Sequence, residues 1–292
     1  MLNKKISFSI IFCFISSMIF GQSIVNTEKL FNKNKDGLQV SSEFNGTSIS
    51  GNASVFILGY SLNFSYKKNK SLLRLFSGGQ YISQNKTEVS NSAFSQLRYD
   101  YQINDKSRYF MFTQLQSNAI LLFNKRLLGG VGYRRNLINI ERDSSSKINF
   151  DLSLGIMQEE EVLNRSRLPQ NEKYYTNYTR SILSMVGSWK YKKKLTVINT
   201  TYFQQHLFSL PDYRLLNETN MLYKLNKNLS LSLDIEYRFD SDPPSLLTNK
   251  DLNSNIGLVI VFWSTIKIFP KFRIRFIHYF FIVKLYRINF HT

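Results

Sequence analysis

Large apolar side chains alternate with small or polar ones along most of this chain. From Val55 to Tyr66 the even positions read Phe56, Leu58, Tyr60, Leu62, Phe64 and Tyr66, while the odd positions pass from Val55 and Ile57 to Gly59, Ser61, Asn63 and Ser65. Successive side chains of a strand point to opposite faces, so a period of two predicts a strand with one oily and one polar face. The pattern returns at Leu97, Tyr99, Tyr101 and Ile103, and again at Ile148, Phe150, Leu152, Leu154 and Ile156. It continues at Leu229, Leu231, Leu233, Ile235, Tyr237 and Phe239, and at Ile256, Leu258, Ile260 and Phe262. Candidate strands cover 37–47, 54–67, 70–83, 92–103, 108–119, 125–136, 147–158, 176–191, 195–207, 213–226, 229–240 and 251–262. Two of them, 108–119 and 195–207, alternate poorly, so the count of about twelve extends to ten or fourteen.

A soluble sandwich alternates too, with its apolar face inward. These strands are about 10 to 14 residues long, however, against an average of about 5 to 6 in soluble sheets. Tyr66, Tyr101, Tyr237 and Phe262 stand at strand ends on the apolar face, as an interfacial aromatic girdle would. The expectation is therefore all-β: a closed antiparallel transmembrane β-barrel, because hydrocarbon offers no partners to a free strand edge. The connections agree. Lys67–Lys70, Asn104–Ser107, Lys192–Lys194 and Asn226–Asn228 are tight and polar. Between them lie the longer links 83–91, 158–175, 208–212 and 239–250. Short turns at one end and long loops at the other are the barrel rule, the short ones being periplasmic. A longish 137–147 link and a short 120–124 link are the exceptions.

The ends of the chain read differently. Lys4 and Lys5 precede an apolar run, Ile6 to Phe20, and a small-residue exit at Gly21. That is the layout of a secretory signal peptide over residues 1–21, and the run is short for a spanning helix. Residues 22–36 form a periplasmic lead-in and 37–262 the barrel. The single cysteine, Cys13, falls in the leader, which excludes a disulfide framework or a Cys-based zinc site. After Phe262, residues 263–292 hold nine aromatic and six basic residues with no acid and no clean period. They read as a frameshift-derived extension or as a basic interfacial helix.

The segments Ser95–Lys106, Arg126–Tyr133, Glu236–Pro244 and Asn255–Phe262, with Asp251, resemble the salt-stress-induced outer-membrane-protein family (YdiY-like), a barrel family of unknown function. The resemblance covers most of 37–262. It implies an outer-membrane barrel and supplies no catalytic residues.

Candidate chemistry is sparse. On the polar face stand Arg98, Asp100, Arg134, Asp151, Asp234, Glu236 and Arg238, and Arg214 and Glu218 join them. They either line a water-filled pore and set its selectivity or pair across strands and plug a narrow lumen; mixed signs favour the plug. Glu159–Glu161 opens a loop and reads as a solvated charge run, with divalent-cation binding the rival reading. Asp240–Pro244 reads as a rigid loop start, since proline fixes φ. A barrel lipase needs a Ser beside a His on the outer wall. His206 with Ser209 does not have that spacing, so no enzyme, cofactor or metal is expected. The formal charge of +18 is spread through turns such as Lys192–Lys194 and through the tail. With an export signal, the expected partners are outer-membrane lipids, lipopolysaccharide and the barrel-assembly machinery, not nucleic acid. The function this leaves is an outer-membrane barrel of unspecified activity: a small-solute channel or stress-related envelope component, or else a structural barrel with a plugged lumen.

Overall fold

The computed structural model describes residues 36–50, 54–143, 145–226, 229–269 and 272–284; the predicted leader and residues 285–292 lie outside them. The described chain is a single antiparallel meander. Its strands are β1 Gly37–Ile49, β2 Val55–Lys68, β3 Ser71–Gln84, β4 Thr87–Asn104, β5 Ser107–Asn118, β6 Phe123–Asp143 and β7 Ser146–Leu163. They continue as β8 Tyr175–Tyr191, β9 Leu195–His206, β10 Tyr213–Lys224, β11 Leu229–Asp240, β12 Lys250–Phe269 and β13 Phe272–Lys284. Each strand pairs with its sequence neighbours, and no ladder joins β1 to β13 among the described residues. Parts of these two edge strands do come within 8 Å of one another, Cα to Cα. No described helix is long and apolar enough to cross a membrane.

Burial is inverted relative to a soluble sheet. On β2, Phe56, Leu58, Tyr60, Leu62, Phe64 and Tyr66 are exposed, and Asn63 and Ser65 are buried at 2% and 1%. The same holds on β7, where Leu154 and Ile156 face out while Ser153 and Glu159 are buried. Exposed Tyr66, Tyr101, Tyr109, Trp189, Tyr191 and Tyr223 gather toward the short-turn end; of the other two residues expected in a girdle, Tyr237 is half-buried and the Phe262 side chain lies outside the described residues.

Four expectations change. The 83–91 link is a two-residue turn. Asn85 and Lys86 both have positive φ, 51° and 64°, the geometry of a tight hairpin turn, and a register shift at Ile82/Ser83 masks the alternation. The 137–147 link is strand. Register shifts at Asn136/Ile138 and Glu141/Asp143 break the period of β6, and the strand runs on to Asp143. Glu159–Glu161 does not open a loop but lies inside β7. The tail is neither helix nor irregular over its described part. Residues 263–269 lengthen β12, and 272–284 form β13, which pairs back onto it with Trp263 opposite Ile277 and Phe262 opposite His278. That makes thirteen strands among the described residues. The Ile- and Phe-rich run has high strand propensity and finds a free edge, which overrides its lack of a clean period.

A candidate functional site in the charged interior

The polar face of β3–β7 carries the first cluster. Asp100 Oδ2 accepts from Arg74 Nη2 at 2.6 Å, and both Asp100 oxygens lie 3.3 Å from Arg98 Nε. Arg108 sits between two carboxylates, 3.7 Å from Asp100 and 3.4 Å from Asp151. Asp151 also accepts from Asn136 Nδ2 at 2.8 Å and lies 4.0 Å from Arg134, whose Nε donates to Ser153 Oγ at 2.7 Å. Arg98 stacks over the Phe110 ring at 4.4 Å. Arg74, Arg98, Arg108 and Arg134 thus gather around Asp100 and Asp151, with opposite charges in direct contact.

A second cluster lies toward the long-loop end. Glu159, wholly buried, is paired with Arg126, with Arg180 Nε at 3.0 Å and with Arg214 Nη1 at 2.8 Å. Glu161 Oε1 lies 2.9 Å from Arg126 Nε as an ion pair and accepts from Arg214 Nη1 at 3.1 Å. Arg180 makes a two-pronged contact to Asp212 at 2.8 and 2.9 Å, and Arg214 Nε donates to Asp240 Oδ2 at 2.8 Å. Two strands separate β7 from β10 in the ladder order, about 14 Å in a flat sheet. Direct Glu159–Arg214 contact shows that the wall curves with this face on its concave side.

Between the clusters lies an apolar layer. Phe110, Phe112, Leu128, Met157, Ile182, Tyr202 and Leu216 form one contiguous buried group on the inward positions of β5–β10. Beside them Gln96 donates to Gln114 at 2.9 Å and Gln114 to Gln116 at 3.1 Å. These inward Phe and Tyr residues are the reason β5 and β9 alternate poorly in sequence: both of their faces carry large apolar side chains.

The long-loop end is strapped. Segment 164–174 starts with a 3-10 turn, Arg165–Arg167, capped by Asn164 Oδ1, which accepts from Ser166 N at 3.2 Å. Arg165 donates to the carbonyls of Glu172 and Gln170, both at 2.9 Å, and holds the segment in a loop. Arg167 reaches the Ala119 carbonyl at 2.9 Å on one side. On the other, the Glu172 carboxylate accepts from Ser245 N at 2.8 Å and Ser245 Oγ at 2.7 Å. The strap thus joins the β5–β6 turn to the β11–β12 loop.

Of the residues expected inside, Arg98, Asp100, Arg134 and Asp151 meet in the first cluster. Asp234, Glu236 and Arg238 stand apart on β11, half-buried; Arg238 pairs closely with Asp251, and Asn220 donates to Asp234 at 2.6 Å. Arg214 belongs to the second cluster, and Glu218 is buried opposite Glu236. Glu159 and Glu161 are interior ion-pair residues, not solvated ones, because alternation within β7 turns both inward and leaves Glu160 outside, 3.2 Å from Lys125. Asp240 likewise serves Arg214 as well as its loop. Sequence reasoning passed over Arg74, Arg108, Arg126, Arg180 and Asp212. For Arg74 the signal was there: it sits between outward Leu73 and Leu75 on β3. His206 closes β9 with Asp212 at 3.5 Å and the Tyr178 ring at 4.4 Å.

An up-and-down antiparallel sheet with an oily convex face and ion pairs on its concave face defines an inside-out β protein. The chain belongs to the family described as "Protein of unknown function, DUF481", whose model matches residues 42–262. That span agrees with the resemblance read from the sequence. No curated protein matches the chain. Among solved structures it is similar to the KdgM porin, with 13% identity, 77% of this chain and 98% of that one covered, and a TM-score of 0.39. It is also similar to the NanC porin, with 8% identity, 76% and 98% covered, and a TM-score of 0.42. The CymD monoaromatic hydrocarbon channel matches at 10% identity over 78% and 80%, with a TM-score of 0.35. These are loose likenesses, and the fold is read from this chain's own ladders.

Proposed function

We propose that this protein is an outer-membrane β-barrel whose convex face meets lipid and whose lumen is plugged by its own side chains. One observation carries the reading: inward-facing Glu159, Leu128, Gln114, Gln204 and Leu216 have no exposed surface at all. Side chains on the wall of an open aqueous pore would be wetted. Here opposite charges neutralise each other on both sides of an apolar layer, and a strap crosses one end. A lipid-facing wall also accounts for rows of exposed Leu, Phe and Tyr that water would penalise.

The barrel of this proposal is built from β1–β12, the span of the family match. An even number of strands leaves β1 and β12 antiparallel at the seam, whereas β13 runs parallel to β1. On this reading β13 stands in the place of the seam. A small-solute channel is the second reading, favoured by the half-buried Asp234, Glu236 and Arg238 on β11. Planar-bilayer recording separates the two: the plugged barrel gives no current from folded protein, and steady single-channel conductance would replace it with the channel.

A further inference from the structure

The outer face carries one feature that a lipid-facing wall does not need. On β9 and β10 the buried positions are Thr200, Tyr202 and Gln204, and Arg214, Leu216 and Glu218. Strand alternation therefore turns Asn199, Thr201, Asn217 and Thr219 outward. They are register neighbours, with Thr201 opposite Asn217 and Asn199 opposite Thr219. They form one hydrogen-bonded patch. Asn199 Nδ2 donates to Thr219 Oγ1 at 2.8 Å and to Asn217 Oδ1 at 3.2 Å, and Asn217 Nδ2 donates to Thr201 Oγ1 at 2.7 Å. The two hydroxyls donate at longer range, 3.4 and 3.5 Å, to the amide oxygens of Asn199 and Asn217.

The patch sits at mid-strand. One row toward the short-turn end come Val197 and Met221, with Trp189 beside Val197. One row toward the loops come Phe203 and Leu215, with Leu183 beside Phe203. Apolar rows on both sides place the patch away from either rim, out of reach of headgroups and bulk water. Lipid tails offer no hydrogen bonds, so an amide-hydroxyl patch at that depth gains only from another protein wall. Gly187, opposite Asn199 on β8, adds a flat spot: a Cβ there would meet nothing within 4 Å.

Resting on the membrane-barrel reading, we propose that this β8–β10 wall is the interface of a homodimer, its occupant a second copy of the same wall. A two-fold axis along the membrane normal keeps every residue at its own depth in both copies. The polar row then meets the polar row, and the apolar rows on either side meet each other. Asn and Thr each carry both donors and acceptors, so the patch is complementary to itself. The long hydroxyl bonds within a copy are the ones exchanged for bonds to the partner.

The test is disulfide trapping in membranes, on a Cys13→Ser background so that the introduced thiol is the only one. Gly187→Cys is expected to yield an oxidised dimer, and Leu62→Cys, on the distant β2 wall, none. Adding Asn199→Leu and Asn217→Leu is expected to reduce the Gly187→Cys dimer at least tenfold while the protein stays in the membrane fraction and keeps its heat-modifiable migration. Equal trapping at both cysteines, no trapping at Gly187→Cys, or trapping unaffected by the leucine pair overturns the dimer. A chain recovered in the soluble fraction instead refutes the membrane reading on which the dimer rests, and the two failures are read from different gels.

Discussion

Removing Asp100 and removing Glu159 should not cost the same, although both are buried carboxylates ringed by arginines. Taking one partner from a buried ion pair costs about 3–5 kcal/mol, because the other charge is left uncompensated. Around Glu159 the compensation is ample. After Glu159→Gln, Arg126 keeps Glu161 at 2.9 Å, Arg180 keeps Asp212 at 2.8 Å, and Arg214 keeps Glu161 and Asp240 at 3.1 and 2.8 Å. The three arginines still face three carboxylates. Around Asp100 the three guanidinium groups of Arg74, Arg98 and Arg108 converge on the one carboxylate. After Asp100→Asn, Arg108 keeps Asp151 at 3.4 Å and Arg98 keeps the Phe110 ring, but the charge on which the three converge is lost. Glu159→Gln should therefore fall at the low end, about 3 kcal/mol, and Asp100→Asn at the high end, about 5 kcal/mol. Reversible urea unfolding in lipid vesicles, followed by tryptophan fluorescence and by heat-modifiable gel migration, measures both. If both variants unfold within about 0.5 kcal/mol of the parent, or if Glu159→Gln is the worse, the ion-pair account of the interior is wrong.

Further outcomes follow from the same geometry. Gly155→Val should destabilise by about 1–3 kcal/mol in the same assay, because a Cβ at Gly155 would lie 2.6 Å from the Val131 carbonyl oxygen; Gly129→Val, where a Cβ would meet nothing within 4 Å, should be close to neutral. Leu62→Arg, near the middle of the exposed face of β2, should cost about 2–4 kcal/mol in a bilayer, and Ser61→Arg, facing the other way on the same strand, should cost less. Glu172→Ala releases the strap from Ser245, so limited proteolysis should cut segment 164–174 faster than in the parent while the sheet survives. A chain ending at Phe262 should assemble at least as well as the full chain; poorer assembly would make β13 an integral strand.

The strands and their two faces were legible because period-two alternation is set by the backbone itself. Phe56 to Tyr66 needed no knowledge of neighbours. What could not be read were features made by neighbours across the sheet. Phe110 and Tyr202 look like failures of alternation until the concave face is seen to hold an apolar layer. Glu159 looks solvated beside Glu160 and Glu161 until Arg126, Arg180 and Arg214 arrive from three other strands. The tail misled in the opposite way. Its mixture of arginines and aromatics has no clean period, yet a free edge at β12 is enough to pair it. Asp100 with Arg98 was legible because both lie two residues apart on one face; Arg74 and Arg108, on the flanking strands, complete the cluster through the register.

The claim beneath all of this is that the oily face points out to lipid. Its most direct measurement is the state of the purified protein as detergent is removed, followed by light scattering. The account predicts that the protein stays dispersed only in micelles or bilayers and aggregates without them. A folded, monodisperse monomer in plain buffer would contradict it, because the exposed Leu and Phe rows of β2 and β7 would then have to be covered by protein.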